Sequence, residues 1–239
     1  MILTKEGFRP IESLAVGDEV LTHLGRWRRV TAISSRYAES TLIIRGHGFP
    51  DIRTTPEHPF LACDIRRVYF PIRERRRGHW YERKPLAPTW MPAWSIQGKF
   101  LCQVLPEEKE SKRGTTDFWW VVGRYLADGW RVRNGRKGRV VICCSKTEAD
   151  DLGRRIRKVF PCSVVEEQTV TKFHITRTDF FRWLAQFGDG AANKRLPGWV
   201  FELRKEYAAA LLEGYLSGDG SKWQGGMRAT TVSRALALS

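Results

Sequence analysis

The chain lacks the cysteine spacings that would staple a small fold or hold zinc. Its five cysteines (Cys63, Cys102, Cys143, Cys144 and Cys162) are odd in number and form no C-x-x-C pair. A disulfide framework and a cysteine zinc site are therefore excluded, and a reducing interior is the expected setting. No apolar run is long enough to span a bilayer, no signal peptide is read at the start, and no basic amphipathic helix suits a membrane surface. The expectation is a soluble cytoplasmic protein with no membrane partner. Acidic residues are also short: 26 Asp and Glu stand against 41 Lys and Arg, a net charge of +15. Charge decides nothing about fold, but it requires an anionic partner. Because the basic residues are spread along the chain and not gathered in a tail, a broad nucleic-acid surface is expected and not a localisation signal.

What is present organises itself around two similar stretches. With 239 residues the chain has room for one large domain or two smaller ones, and ten tryptophans argue for real cores. Phe118 to Trp130 reads FWWVVGRYLADGW, and Tyr207 to Ser221 reads YAAALLEGYLSGDGS. Both contain Gly-x-x-x-x-Asp-Gly: Gly123 with Asp128 and Gly129, then Gly214 with Asp219 and Gly220. Each is an apolar run of helical length with a small residue four positions after its first glycine, Ala127 and Gly218. Small residues at i and i+4 share a helix face. Two such faces can meet backbone to backbone. A glycine inside a helix costs about 1 kcal/mol relative to alanine, so its use twice at matching positions points to packing.

Paired helices would carry Asp128 and Asp219 to their C-terminal ends, with Gly129 and Gly220 expected to turn left-handed as caps. A carboxylate there faces the negative end of the helix dipole. Two brought within about 4 Å repel by roughly 4 kcal/mol at an effective dielectric near 20. A divalent cation between them would remove that repulsion, and hard oxygen ligands suit magnesium.

The stretches Val121 to Gly129 and Leu212 to Gly220 resemble the paired signatures of the single-chain LAGLIDADG homing endonucleases. The resemblance implies that the two helices form a central interface in a monomer with a pseudo-twofold repeat. Each helix would donate one metal-binding, catalytic aspartate, Asp128 and Asp219, and each would be followed by a curved antiparallel sheet that sits in the DNA major groove. It also implies a lysine near the active site that polarises the attacked phosphate. Lys172 is the candidate, with Lys194 behind it.

The N-terminal part reads differently. From Ile2 to Ile33 apolar and polar residues alternate around Gly7, Pro10, Gly17-Asp18 and Gly25, an all-β pattern with tight turns. Strands are expected at Thr41 to Ile44 and Asp51 to Thr54. The opening GFRPIESLAVGDEVLT is similar to that of a Hint (hedgehog/intein) splicing domain, and Thr55-Pro-Glu-His58 is similar to its T-x-x-H motif. That resemblance implies that Thr55 and His58 activate a scissile peptide bond, the hydroxyl holding the carbonyl and the imidazole protonating the departing nitrogen. An extein host protein would then be the partner. The family's nucleophile is expected upstream of Ile2-Leu3-Thr4, where Met1 stands, and its terminal His-Asn pair is missing before Ser239. The chain as written is expected not to splice, because covalent splicing needs those groups.

The fold class expected is thus an α/β (α+β) LAGLIDADG endonuclease domain behind an N-terminal all-β Hint-like domain. Residues 1–106 form the Hint-like domain with a basic insertion, 107–116 a linker, and 117–239 the nuclease domain with its second half incomplete. In the insertion, Arg75, Arg76 and Arg77 lie among aromatics, a pattern that suits phosphate contact with stacking and equally a solvated loop. After the first motif, Arg131, Arg133, Arg136, Lys137 and Arg139 are expected to reach DNA phosphates. Gly138 to Ser145 reads as a strand, Thr147 to Phe160 as a helix, Ser163 to Ile175 as two strands and Asp179 to Phe187 as a helix. The reaction implied is Mg2+-assisted hydrolysis of DNA phosphodiesters. Two alternatives stay open: a splicing-element remnant without nuclease activity, and a non-catalytic nucleic-acid binder such as a maturase.

Overall fold

The computed structural model describes residues 1–46, 49–69, 81–109, 114–134, 137–223 and 226–237. It is a mixed α/β structure with antiparallel sheets. Two compact units are present, one made of Met1–Leu21, Trp27–Arg29 and Pro106–Ser239, the other of Thr22–Arg26 and Val30–Leu105. The boundary expected at residue 106 therefore divides the chain only in part, because the first strands belong with the C-terminal elements.

Those first strands are β1 (Ile2–Thr4), β2 (Gly7–Arg9), β3 (Glu19–Leu21) and β4 (Trp27–Arg29), in the sheet order β2-β1-β3-β4. What ties them to the rest of their unit is long-range in sequence. The Gly198 N–H donates to the Lys5 carbonyl at 3.0 Å. Glu202, its side chain 8% exposed, accepts from the Lys5 and Lys109 ammonium groups at 2.7 and 2.8 Å. A nearly buried carboxylate needs such partners. Lys109, expected in a free linker, is therefore fastened at one end.

Among its described residues the other unit holds seven strands: β5 (Leu42–Gly46), β6 (Phe49–Thr54), β7 (Pro59–Cys63), β8 (Ile65–Tyr69), β9 (Tyr81–Pro85), β10 (Thr89–Pro92) and β11 (Phe100–Leu101). They form a β10-β7-β11 sheet and the hairpins β5-β6 and β8-β9. The strands expected at Thr41 to Ile44 and Asp51 to Thr54 fall within β5 and β6. The unit's apolar core is small, with Ala62, Cys63, Ala93 and Ile96 buried, while Trp90 and Trp94 stay exposed.

The large core sits in the first unit, around α1 (Thr116–Asp128). Thr115 caps this helix by accepting from the Phe118 N–H at 3.3 Å. Every residue from Phe118 to Leu126 is buried, the mark of a helix covered all round. Next come β12 (Gly129–Asn134), β13 (Lys137–Ser145), α2 (Ala149–Arg157), β14 (Ser163–Glu166), β15 (Val170–Ile175) and α3 (Thr178–Trp183). The capping box before α2 is Ser145 with Glu148, two residues ahead of the expected Thr147.

The strands form an antiparallel sheet in the order β12-β13-β15-β14. Alternation gives it two faces. Val140, Ile142, Cys144, Phe173 and Ile175 enter the core beneath α1. Trp130, Val132, Arg139, Val141, Cys143, Lys172 and His174 share the opposite face. The core is strongly aromatic: Phe160 stacks on Phe180 with centroids 4.3 Å apart, and Trp183 contacts Phe118, Trp119, Phe187 and Trp199.

The second repeat is α4 (Lys205–Asp219), then the hairpin β16 (Gly220–Trp223) and β17 (Gly226–Ala229), then α5 (Arg234–Ala237). Sequence reading expects one strand from Met227 to Thr231 here. It misses β16 because GSKW has no apolar alternation; that strand continues directly from α4 and is set by pairing Gly220 with Ala229.

Candidate active site

The site is built where α1 and α4 cross. A Cβ at Gly123 would overlap the Leu211 carbonyl oxygen and fall 2.7 Å from the Tyr215 nitrogen. One at Gly214 would overlap the Trp120 carbonyl oxygen and fall 3.1 Å from the Arg124 nitrogen. The two contacts are images of each other. The sequence separation between Gly123 and Gly214 is the same as between Trp120 and Leu211, Arg124 and Tyr215, and Asp128 and Asp219. This is the self-complementary pattern of a twofold interface, made within one chain. At the lower end a Cβ on Gly218 would overlap the Asp128 carboxylate and lie 2.5 Å from the Ala127 Cβ. Gly123, Ala127, Gly214 and Gly218 thus all lie at the helix contact.

Gly129 and Gly220 do not turn left-handed as expected. Their backbone is extended, φ −104° and −86°, and each begins the strand that follows its helix. Glycine stands there for want of space. A Cβ on Gly129 would meet the Tyr125 ring and carbonyl at 2.5 and 2.8 Å, and one on Gly220 would overlap the Leu216 carbonyl. The chain therefore leaves each helix at a sharp angle, with the aspartate at the corner.

The two corners are electrostatically linked. Asp128, half-buried, has its pKa raised, first by burial and further by the Asp219 charge, while Arg124 and Lys194 oppose the shift. The Arg124 Nη2 lies 3.1 Å from Asp128 Oδ2 and 3.6 Å from Glu148 Oε2, with only 4% of the arginine side chain exposed. Lys194, 5% exposed, donates to the carbonyls of Tyr125, Leu126 and Ala127 at 3.0, 2.7 and 3.1 Å. It thereby satisfies three of the terminal carbonyls of α1 and sets a positive charge against the negative end of its dipole. Burial brings its pKa down to about 8, against the opposing pull of Asp219 and Asp128. The carboxylate repulsion that sequence reading assigned to a cation alone is thus partly answered by Arg124 and Lys194.

The donor set fits a hard divalent cation. One carboxylate from each corner suits magnesium, which keeps several waters and takes further oxygens from a phosphate. Among the described residues no group of three His, Cys, Asp or Glu side chains could enclose a metal by itself. Side chains alone would therefore supply only part of a coordination shell.

No protein-family model matches the chain. The ATP-dependent DNA helicase Hel308 of Thermococcus kodakarensis is 24% identical over 273 residues, covering 92% of this chain and 24% of the helicase. An iron-sulfur cluster assembly SufBD family protein of Mycobacterium tuberculosis is 27% identical over 244 residues, covering 92% of this chain and 28% of that protein. An uncharacterized protein of Methanocaldococcus jannaschii is 38% identical over 269 residues, covering 92% of this chain and 34% of that protein. The chain spans about a quarter to a third of the length of these curated relatives. Among solved structures, the homing endonuclease I-DmoI in complex with DNA and manganese aligns at a TM-score of 0.33 and 12% identity, over 44% of this chain and 63% of that one. Its complex with DNA and calcium aligns at 0.32 and 11%, over 45% and 59%.

The remaining candidate residues scatter. Lys172 lies on the open face of the sheet, where its ammonium is held 2.5 Å from Glu167 Oε1 and not by either aspartate. Lys194 is the lysine that faces both. Arg131, expected to reach phosphate, instead points to the core face of the sheet: it packs over the Phe181 ring, donates to the Phe181 carbonyl at 2.8 Å and is clamped by Asp189. Strand alternation separates it from Arg139, which is exposed on the open face opposite Val132. Arg133 shares the side of Arg131 and is exposed. Lys137 is described by its backbone pairing with Asn134 alone, and Arg75, Arg76, Arg77 and Arg136 lie outside the described residues.

In the other unit, Thr55 and His58 form the turn between β6 and β7. The His58 N–H donates to the Thr55 carbonyl at 3.2 Å, and the exposed imidazole meets the Phe60 ring edge-on at 5.3 Å. Sequence reading missed Arg124 and Glu148. Arg124 had a signal, its i,i+4 spacing to Asp128 on one helix.

Among the described residues no helix is long and apolar enough to cross a membrane.

Proposed function

We propose that this chain is the DNA endonuclease part of an inserted, intein-type element, hydrolysing phosphodiester bonds of duplex DNA with a divalent cation, Mg2+ in the cell. The observation that carries this reading is the glycine-faced crossing of α1 and α4, which sets Asp128 and Asp219 at adjoining corners beside the buried Lys194. A structural role alone gives no reason to place two acidic groups at the negative ends of two helices.

Asp128 and Asp219 would hold the cation through their carboxylate oxygens. Bound there, it would generate hydroxide from water and stabilise the leaving oxygen. Lys194 uses all three of its donors on backbone carbonyls, so it acts through its charge and by fixing the end of α1, not by hydrogen-bonding phosphate. Arg139, Lys172 and the half-exposed Trp130 share the open sheet face and would meet the DNA backbone there.

The inserted-element reading is supported by where the relatives lie. A stretch of this length recurs within proteins named for DNA unwinding and for iron-sulfur assembly, functions with nothing in common. A segment that travels between unrelated hosts needs a way to enter their genes, and double-strand cleavage supplies one. The turn at Thr55 and His58 would then belong to the splicing part, with the host protein as the extein.

Incubating an active full-length parent that carries this chain with Mg2+ and a plasmid bearing the uninterrupted host gene tests the reading. Asp128→Asn and Asp219→Asn should each abolish cutting and leave duplex binding in place. Cutting at the wild-type rate by either variant refutes the assignment.

A further inference from the structure

The pseudo-twofold that relates α1 to α4 is broken at one position next to the carboxylates. Four residues before Asp128 stands Arg124, and four residues before Asp219 stands Tyr215. The arginine is nearly sealed from water and bridges Asp128 Oδ2 at 3.1 Å and Glu148 Oε2 at 3.6 Å. Its Nε is buried with no hydrogen-bond partner among the described residues. Its position is therefore fixed by the two carboxylates and not by a full hydrogen-bond set. Tyr215 brings no charge, its hydroxyl is buried, and Asp219 has no ion-pair partner within 4.0 Å among the described residues.

We infer that Arg124 is a built-in counter-ion that ranks the two aspartates, so that a divalent cation takes Asp219 first and engages Asp128 only against the guanidinium. The inference rests on the nuclease reading above and makes Arg124 a positioning residue within it. The physics is competition for one anion. A cation approaching Asp128 meets a positive charge already in contact, in a site where water screens little. One approaching Asp219 meets the Lys194 charge, which both carboxylates share, but among the described residues no guanidinium in ion-pair contact with that carboxylate. Arg124 does not leave for solvent, because its side chain is 4% exposed and a buried guanidinium needs its partners. It remains a resident competitor. Glu148, on the rim of the site, gives it a second anchor to lean on when Asp128 turns to a cation.

The test is Mn2+ titration of the full chain without DNA, read by the electron paramagnetic resonance signal of free Mn2+, with thermal unfolding as the check of fold. The wild-type chain should take up one ion tightly and a second at least about tenfold more weakly, as competition with a contacting charge requires. Asp219→Asn should lose the tight uptake, and Asp128→Asn should keep it. Arg124→Met should tighten the weak uptake by at least about tenfold, whereas Arg124→Lys, which keeps the charge, should restore most of the ranking. If Arg124→Met fails to fold, the comparison of the two aspartate variants decides by itself. Equal losses in Asp128→Asn and Asp219→Asn, or a folded Arg124→Met with unchanged uptake, overturn the ranking and leave the nuclease reading standing. Ranked uptake by a chain that cuts no DNA overturns the nuclease reading and leaves the ranking. No Mn2+ uptake at all overturns both.

Discussion

Gly214→Ala separates the two things a glycine does in this structure. In an ordinary exposed helix the change would stabilise by about 1 kcal/mol, because alanine loses less backbone entropy on folding. At position 214 the added methyl would overlap the Trp120 carbonyl oxygen and sit 2.8 Å from its carbon and 3.1 Å from the Arg124 nitrogen. These are backbone atoms of a buried helix, so no side chain can swing aside. α1 and α4 must part, and overpacking of this kind typically costs about 1–3 kcal/mol, with backbone obstacles at the upper end. Parting also withdraws Leu211 from its contacts with the core. Set against the propensity gain, the net loss should be about 1–2 kcal/mol. At roughly 2–4 °C per kcal/mol for a unit of this size, the unfolding midpoint should fall by about 2–8 °C. Circular dichroism at 222 nm against temperature reads this directly, since both helices belong to one unit. The control is Ala209→Gly on the exposed side of α4, which should lose about 1 kcal/mol through propensity alone. The same parting would pull Asp128 from Asp219, so Gly214→Ala should cut DNA poorly even at temperatures where it is folded. A Gly214→Ala chain more stable than wild type and equally active would show that the helices do not meet as described.

Lys194 predicts a pH dependence of stability. Its folded pKa of about 8 lies below the ordinary lysine value of 10.5, so between those values the unfolded chain binds more protons and stability should rise with pH. The contribution is at most about 1.4 kcal/mol per pH unit in that window, and Lys194→Met should remove it; equal pH slopes in the two proteins would refute it. Binding to a random duplex should weaken more than tenfold between about 50 and 200 mM salt, as release of phosphate counterions requires; a smaller change in an electrophoretic titration would remove the electrostatic argument. Arg139→Gln should lower that salt slope by about one, whereas Arg131→Met should leave the slope alone and destabilise by about 1–2 kcal/mol, since it removes the hydrogen bond to the Phe181 carbonyl and a largely exposed pairing with Asp189. A reversed pattern would mean that the two faces of the sheet have been exchanged.

The residues that sequence reading placed well are those whose role is decided within one turn or one strand. Gly123, Ala127, Gly214 and Gly218 mark a helix face by spacing alone, and the strands β13, β14 and β15 show their alternation openly. The misplacements all involve a choice between local alternatives that a distant part of the chain settles. Arg131 and Arg139 look equivalent in a basic run, but pairing with β13 puts them on opposite faces, and only the aromatic core and Asp189 decide which face is inner. Gly129 and Gly220 look like helix caps, since a glycine after a helix usually is one. Their true constraint is the Tyr125 ring and backbone at one corner and the Leu216 backbone at the other, with a strand to start at once. The first strands read as part of a β domain because alternation reports a strand and not the core it joins. The Lys5–Glu202–Lys109 cluster that places them has no local trace. Lys194 is the sharpest case. Nothing beside it in sequence distinguishes it from Lys172, and what sets it apart is the set of carbonyls left over at the end of a helix far upstream. A helix end that must be buried creates a need for donors, and that need selects the lysine. The charge that fills it then lies beside the two aspartates, because those aspartates sit at the same helix ends. The surroundings of the two aspartates are thus a consequence of how α1 ends, and that ending is settled by a lysine far away in the sequence.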